Sequence, residues 1–539
     1  MFELMAHQKK AAEIAATQNL ALFHDCGTGK SLSALSIIDY YKQQGKGPAL
    51  VVCPISIIGP AWMADCKKFT PHLSIVSLWG LTGQKRRDLL AKRYDIYIIN
   101  FDAFKLSYDV LSNAGFQVIV VDESSKMKNH KSQITDALLS LAGIKRRSSK
   151  FKTRNIIPHR YILTGTPAPN DESEYWAQIK FIAGPGDYDH GFYDNFYAFR
   201  NRYFSTYNIT PTVKGYRFKR EQATHFKESM RPWIHVVRKK DVLDLPEQTH
   251  NIRAVLLSVA ESVAYDQMEN DMVAQLENDT IAAKNALTKA LSLRELTSGF
   301  LYNPDNKDEI FRTGASKLNE LKDLLDEIGH EQCIIWYNFE AEKNQILGAV
   351  DNILWVDEPG PRRDEVLDAF MQGKLQRLLA NPASLGHGVT LTNCMYAVYF
   401  SLTASYENME QSVNRIHRKG QTRPATYYYL IAAGTYDEVI YKTIQSKGNL
   451  VNSTLDYFRS KYGIDFQNDT TGGQAPFTQG LDLIGQELTQ EAPAGIRNPA
   501  PVHGVPAKAG QSPGHQGHRR KPGGLSGYSG MLQRLICGN

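Results

Sequence analysis

The run LALFH at residues 20–24 passes directly into DCGTGKS at 25–31 and then into the helical stretch SLSALSIIDYYK. Few folds accept an apolar strand, a glycine loop and a helix in immediate succession. Gly27 and Gly29 let the backbone curl so that consecutive N–H groups converge on an anion, and the helix N-terminus adds its dipole. Asp25 and Thr28 complete the loop, Lys30 carries a positive charge toward β- and γ-phosphates, and Ser31 offers a hydroxyl to Mg²⁺. His24 stands where the first glycine or alanine of such a loop is usual.

A second half-site follows. The stretch QVIVVDESSKMKN places Asp122 and Glu123 at the end of an apolar strand, 92 residues after Lys30. A strand in a parallel sheet delivers both carboxylates to the carboxyl edge, beside the phosphate loop. One carboxylate can hold Mg²⁺, and the next can act as general base on the attacking water. ATP and Mg²⁺ are the cofactors this pairing calls for.

The rest of the chain supports two α/β lobes. Near-continuous apolar runs at 20–24, 49–53, 74–78, 95–99, 117–121 and 160–164 are separated by helix-length segments, and the rhythm returns at 332–337, 352–356, 376–380, 397–400 and 426–431. Such runs predict parallel strands covered on both faces. Residues 184–250 interleave aromatic and basic side chains, as in FYDNFYAFRNRYF, and 255–328 read as helical. Residues 471–539 hold 14 Gly and 7 Pro among 69 residues, a density that predicts disorder. Cys26, Cys53, Cys66, Cys333, Cys394 and Cys537 form no CxxC pair, so neither a disulfide framework nor a structural zinc is expected. No apolar run is long enough to span a membrane, and MFELMAHQKK lacks a signal-peptide core. A soluble, intracellular protein is expected, in a bacterial cytoplasm or a nucleus. The net charge of +6 allows a nucleic-acid partner without requiring one.

Taken together, DCGTGKS, VDESSKMKN and YILTGTPAPN resemble motifs I, II and III of superfamily-two helicases, closest to the Swi/Snf-type branch. QSVNRIHRKGQT at 411–422 resembles its motif VI, and ANPASLGHGVTLTNC, with Gly388, resembles motif V. VVCPISIIGPAW and IINFDAF are similar to motifs Ia and Ib, CIIWYNF to motif IV, and RKKDVLDLPEQT to a segment before the linker. The likeness covers roughly residues 1–465. Two positions depart from it: Ser124–Ser125 replace the Ala-His that usually ends motif II, and Asn414 replaces an acid in motif VI.

The resemblance implies two RecA-like lobes of a P-loop NTPase with a mostly helical bridge and a disordered tail. The expected divisions are 1–183, 184–310, 311–467 and 468–539. It implies that Gln8 reads adenine and that Arg415 and Arg418, one helical turn apart, reach the γ-phosphate from the second lobe. Thr164, Thr166, Ser125 and Gln411 would couple nucleotide state to lobe movement, with Ser125 weakening that coupling. It further implies an ATP-hydrolysing translocase on duplex DNA, held through the DNA backbone. A strand-separating DNA or RNA helicase and a slow ATP-dependent binding switch remain alternatives. The lobes are expected to align fully only when nucleic acid spans them.

Overall fold

The computed structural model describes residues 3–446, apart from 145–148, 153–154, 186–194, 209–213, 278–281, 304, 307, 357–360 and 386–388, together with 453, 457 and 461. Gly388 and the tail at 468–539 therefore lie outside the described residues.

The first lobe contains β1 (Leu20–His24), β2 (Ala49–Cys53), β3 (Ile75–Ser77), β4 (Ile96–Asn100), β5 (Val118–Asp122) and β6 (His159–Thr164). The hairpin of β7 (Phe204–Asn208) and β8 (Lys214–Phe218) follows, and then β9 (Ile234–Val237). The main sheet runs β3-β4-β2-β5-β6-β1-β9 with every pair parallel. β1, β2, β4 and β5 are buried at every residue because helices cover both faces. Their side chains alternate between two cores: Ala21 and Phe23 face one, Leu20 and Leu22 the other.

Strand order sets up the chemistry. β6 lies between β1 and β5, with Thr164 opposite Phe23 and Asp122 opposite Leu163. The phosphate loop, the acidic pair and the turn after Thr164 therefore leave one edge of the sheet side by side.

The second lobe contains β10 (Gln248–Val255), β11 (Phe300–Tyr302), β12 (Ile310–Arg312), β13 (Cys333–Trp336), β14 (Ile353–Val356), β15 (Arg377–Ala380), β16 (Tyr396–Tyr399) and β17 (Ala425–Ala432). Its sheet runs β10-β17-β16-β13-β15-β14, again all parallel, while β11 and β12 form a separate hairpin. Two parallel sheets, one per lobe, are the two RecA-like lobes read from the sequence.

The region 184–310 is less separate than its sequence texture suggests. β9 pairs with β1, and β10 pairs with β17 along eight residues, so both lobes take an edge strand from it. IHVV is too short, and QTHNIRAV too polar, to register as buried strands. Phe196, Phe199, Tyr203, Phe204 and Phe226 join the first-lobe core, which anchors the aromatic insert. The helical texture at 255–328 corresponds to helices Val259–Glu277, Ala282–Thr297 and Ser316–Ile328, interrupted by the β11–β12 hairpin.

One buried ion pair ties the second lobe together. Lys317 Nζ lies 2.6 Å from Asp437 Oδ2, with side-chain exposures of only 1% and 8%. Asp437 Oδ1 also accepts from Thr297 Oγ1 at 3.1 Å, so three helices meet at one carboxylate. Removing one partner of such a pair strands the other charge. Asp437→Ala should lower unfolding free energy by about 3–5 kcal/mol, whereas Lys317→Met with Asp437→Leu should cost less than that single change. Urea denaturation followed by circular dichroism gives the comparison; a double variant as unstable as Asp437→Ala would contradict it.

Candidate active site

The loop at the end of β1 has the backbone its glycines predict. Gly27 and Gly29 sit at φ 86° and 82°, left-handed values that strain other residues. Gly29 precedes helix Lys30–Gln43, and a Cβ added there would overlap Gln8 Nε2. Gln8 is buried beneath the loop. Its Nε2 donates to the carbonyls of Thr28 (3.3 Å) and Gly29 (3.4 Å), and its Oε1 accepts from Met5 N at 2.9 Å. In this form the Gln8 amide ties the loop, through Nε2, to the start of its own helix, through Oε1. Thr28 Oγ1 donates to Asp25 O at 2.8 Å, and Ser31 is half-buried in the first helical turn.

Lys30 Nζ donates to His24 O at 3.0 Å. Burial pulls its pKa down, but Cys26, Glu123, Asp122 and Asp25 outweigh that effect and raise it. The loop lysine and the acidic pair are thus brought together electrostatically. Asp122 Oδ2 accepts from Trp62 Nε1 and Oδ1 from Glu123 N, each at 2.9 Å. Burial and then the neighbouring Glu123 charge push Asp122 up to about 6, against Lys30 and the two donors. Glu123 has φ 56° and ψ 56°. A left-handed glutamate is strained by roughly 1–2 kcal/mol.

The turn after β6 closes against the same loop. A Cβ on Gly165 would lie 3.1 Å from Cys26 Sγ, a tight fit that brings this turn close against the loop. Thr164 Oγ1 accepts from Thr166 N at 3.1 Å and holds the turn.

The second lobe supplies the arginines from helix Tyr406–Ile416 and the residues just after it. Arg415 Nη1 and Arg418 Nη1 donate to the same Val389 carbonyl, at 3.0 and 3.4 Å. Arg415 Nε also donates to Gln411 O at 2.9 Å. A Cβ on Gly27 would come within 3.2 Å of Arg418 Cβ, so the two lobes already meet at the phosphate loop. Burial pushes Arg415 down to about 10, with Arg418 adding to the effect and Cys26 and Glu123 opposing it.

Comparison with known proteins places the chain in a family. The SNF2-related domain family matches residues 5–299, and the helicase conserved C-terminal domain matches 316–420. The chain belongs to the SNF2-related family. A putative protein p41 from Acyrthosiphon pisum secondary endosymbiont phage 1 is 25% identical, covering 81% of this chain and 94% of that protein. A putative ATP-dependent helicase/translocase from Bacillus subtilis, YwqA, is 23% identical over 80% of this chain. The chain spans only 46% of the Bacillus protein's length. A solved Sulfolobus solfataricus SWI2/SNF2 ATPase core in complex with dsDNA covers 83% of this chain and 91% of its own, at 20% identity and a TM-score of 0.39.

This SNF2-related chain holds its site with several residues that its motifs do not single out. Lys239 N donates to Asp25 Oδ2 at 2.8 Å, and its ammonium reaches Asn414 Oδ1 and, at 2.7 Å, His417 O. One lysine thus fastens the phosphate loop to the arginine helix. Burial lowers its pKa despite Cys26, Asp25 and Glu410. Gln178, fully buried, accepts from Ser124 Oγ at 2.7 Å and donates from Nε2 to Pro167 O. Glu407 accepts from Ser125 Oγ at 2.6 Å. Only RKKDV carried a sequence signal for any of these; Gln178 and Glu407 carried none. Gln411 is buried, and its Oε1 has no hydrogen-bond partner among the described residues.

His24, the departure from the usual phosphate loop, is fully buried. Its Nε2 lies 2.8 Å from His235 Nδ1, and its ring meets His7 edge-on at 5.9 Å. His7 Nε2 in turn contacts Thr28 O at 2.9 Å. Burial first, then His235, Lys30 and His7, push His24 down to about 2, so it stays neutral in the folded protein. An unfolded chain takes up that proton below pH ~6.5. Stability is therefore fully present above that pH and falls as pH drops through the window below it, by roughly 1.4 kcal/mol per unit once well inside. His24→Gln should flatten the decline in melting temperature between pH 6.5 and 5. An unchanged slope in that variant would show that other groups carry the acid sensitivity.

Proposed function

We propose that this SNF2-related chain hydrolyses ATP in the cleft between its lobes and uses the cycle to move along double-stranded DNA. The observation that carries the reading is the approach of Arg418 to Gly27, with Arg415 within the field of Glu123. Cations from one lobe face the loop and acids of the other, as a γ-phosphate between them requires.

The roles follow from position. The N–H groups after Gly27 and the Lys30 ammonium bind the phosphates. Glu123, at the end of β5, takes the proton of the attacking water. Arg415 and Arg418 neutralise the charge that spreads over the γ-phosphoryl oxygens. Gln8 lies next to the loop, where exchange of its bonds to Thr28 and Gly29 for an adenine edge is a small movement.

Asp122 and Ser31 suit Mg²⁺, since both present hard oxygen donors. Both Asp122 oxygens already accept one N–H each, and each keeps a lone pair. Among the described residues no cluster of three or more His, Cys, Asp or Glu could hold a metal alone, so the other ligands would be water and phosphate oxygens. Bound Mg²⁺ would neutralise phosphate charge.

Duplex DNA as the track fits the family and the surface of the insert. β8 turns Lys214, Tyr216 and Arg217 outward, and the Arg200 guanidinium stacks 3.8 Å from the Tyr216 ring. Such groups bind a phosphate backbone without reading sequence. No helix among the described residues is long and apolar enough to cross a membrane.

ATPase rates with duplex DNA, single-stranded DNA and RNA test the reading; duplex DNA should stimulate most, and a rate indifferent to all three would overturn it. Glu123→Gln should retain ATP binding and lose turnover by roughly 10²–10⁴-fold. Arg418→Ala should lose DNA-stimulated turnover by about 10³-fold, with ATP affinity held within a few-fold. Equilibrium nucleotide binding beside single-turnover cleavage separates the two effects. Full turnover in Arg418→Ala would make Arg418 a structural contact of the Val389 carbonyl.

A further inference from the structure

Motif II ends in Ser124–Ser125 where the Swi/Snf-type pattern usually has Ala-His, and the structure shows what each hydroxyl does. Both serines are buried in the short helical turn Ser124–Met127 that follows Glu123. Ser124 Oγ donates to Gln178 Oε1, and Gln178 Nε2 donates onward to Pro167 O, in the turn that also holds Thr164 and Thr166. This arm stays within the first lobe. Ser125 points the other way, and its Oγ donates to Glu407 Oε1 of the second lobe at 2.6 Å. The other Glu407 oxygen faces Lys128 Nζ at 3.5 Å, and Lys128 also faces Glu174 Oε1 at 3.9 Å.

We infer that Glu407 is a positioning residue for hydrolysis, latched by Ser125 so that docking of the arginine helix sets the backbone of Glu123. This rests on the ATPase reading above.

Three features carry the inference. First, Glu407 lies in the opening turn of helix Tyr406–Ile416, the helix that carries Arg415 and leads to Arg418. A pull on Glu407 is a pull on the arginines, because a hydrogen-bonded helix moves as a unit. Second, Ser125 is tied to the general base through its own turn. Lys126 N donates to Glu123 O at 3.0 Å, and Lys128 N to Ser125 O at 3.2 Å. Glu123 itself holds a left-handed backbone that persists only when its surroundings enforce it. Ser124 and Ser125 anchor that turn on both sides.

Third, the contact is a charge-assisted hydrogen bond in a buried place. Glu407 is 8% exposed and Ser125 1%, so water cannot readily replace either partner. A hydroxyl is short enough to let the second-lobe helix approach the acidic turn closely. The expected weakening of coupling by Ser125 is thereby replaced by a different coupling, with a carboxylate on the second lobe taking the role of partner.

The test uses the full chain with saturating duplex DNA. Ser125→Ala should lower stimulated kcat about tenfold, equivalent to about 1.4 kcal/mol, with KM for ATP within twofold. Ser125→Thr, which keeps the hydroxyl, should retain most of the rate. Glu407→Ala should match Ser125→Ala, and the double variant should be no worse than either single one. Glu407→Gln, which keeps an acceptor without the charge, should fall between. Full stimulation in Ser125→Ala, or losses that multiply in the double variant, would overturn the inference. Hydrogen exchange along residues 406–416, measured without nucleotide or DNA, gives a second reading. It should rise several-fold in Ser125→Ala and not in Ser125→Thr, and unchanged exchange would remove the latch. If the unaltered protein shows no DNA-stimulated hydrolysis while exchange still responds to Ser125→Ala, the latch stands and the functional reading falls.

Discussion

Two lobes of this chain bury charged groups against each other, and the rest of the site depends on that contact. Arg415 and Arg418 come from the second lobe, Lys30 and the Asp122–Glu123 pair from the first, and none can be left alone in a low-dielectric cleft. Burial raises the Asp122 pKa and lowers that of Arg415, so each charge is held at a cost by the fold. Groups destabilised in this way, facing one another, are poised for a charged ligand that relieves both. Stability is given up locally where binding recovers it.

The contact is held by a strap and a latch. Lys239 joins Asp25 of the phosphate loop to Asn414 and His417 at the end of the arginine helix. Ser125 and Lys128 join the other end of that helix at Glu407. The helix is thus gripped near both termini by the first lobe. Asn414 accepts from the Lys239 ammonium, so a polar contact is kept at this position of motif VI.

Departures from the family pattern each have partners elsewhere in the fold. His24 fills space beneath the loop that glycine or alanine would leave open, and its ring meets those of His7 and His235 edge-on. Ser124 and Ser125 divide the work of motif II between the first and second lobes. Each substitution is accompanied by partners on other elements: His235 on β9, Gln178 on the helix after β6, and Glu407 on the second lobe.

Eleven strands were legible in the sequence, most of them because a parallel strand buried on both faces reads as an unbroken apolar run, as in ALVVC or VIVVD. The phosphate loop and the acidic pair were legible for a related reason: their chemistry requires particular residues at fixed places next to a strand. β9 and β10 were not, since an edge strand needs only one paired side and tolerates His235 or Asn251. Gln178 and Glu407 were hidden because their partners lie 54 and 282 residues away along the chain. The sequence by itself determined the two lobes, the loop and the acids, whose signals are local. Only the tertiary structure decided how the lobes dock and which side chains hold them, because a hydrogen bond between distant residues leaves no spacing to read.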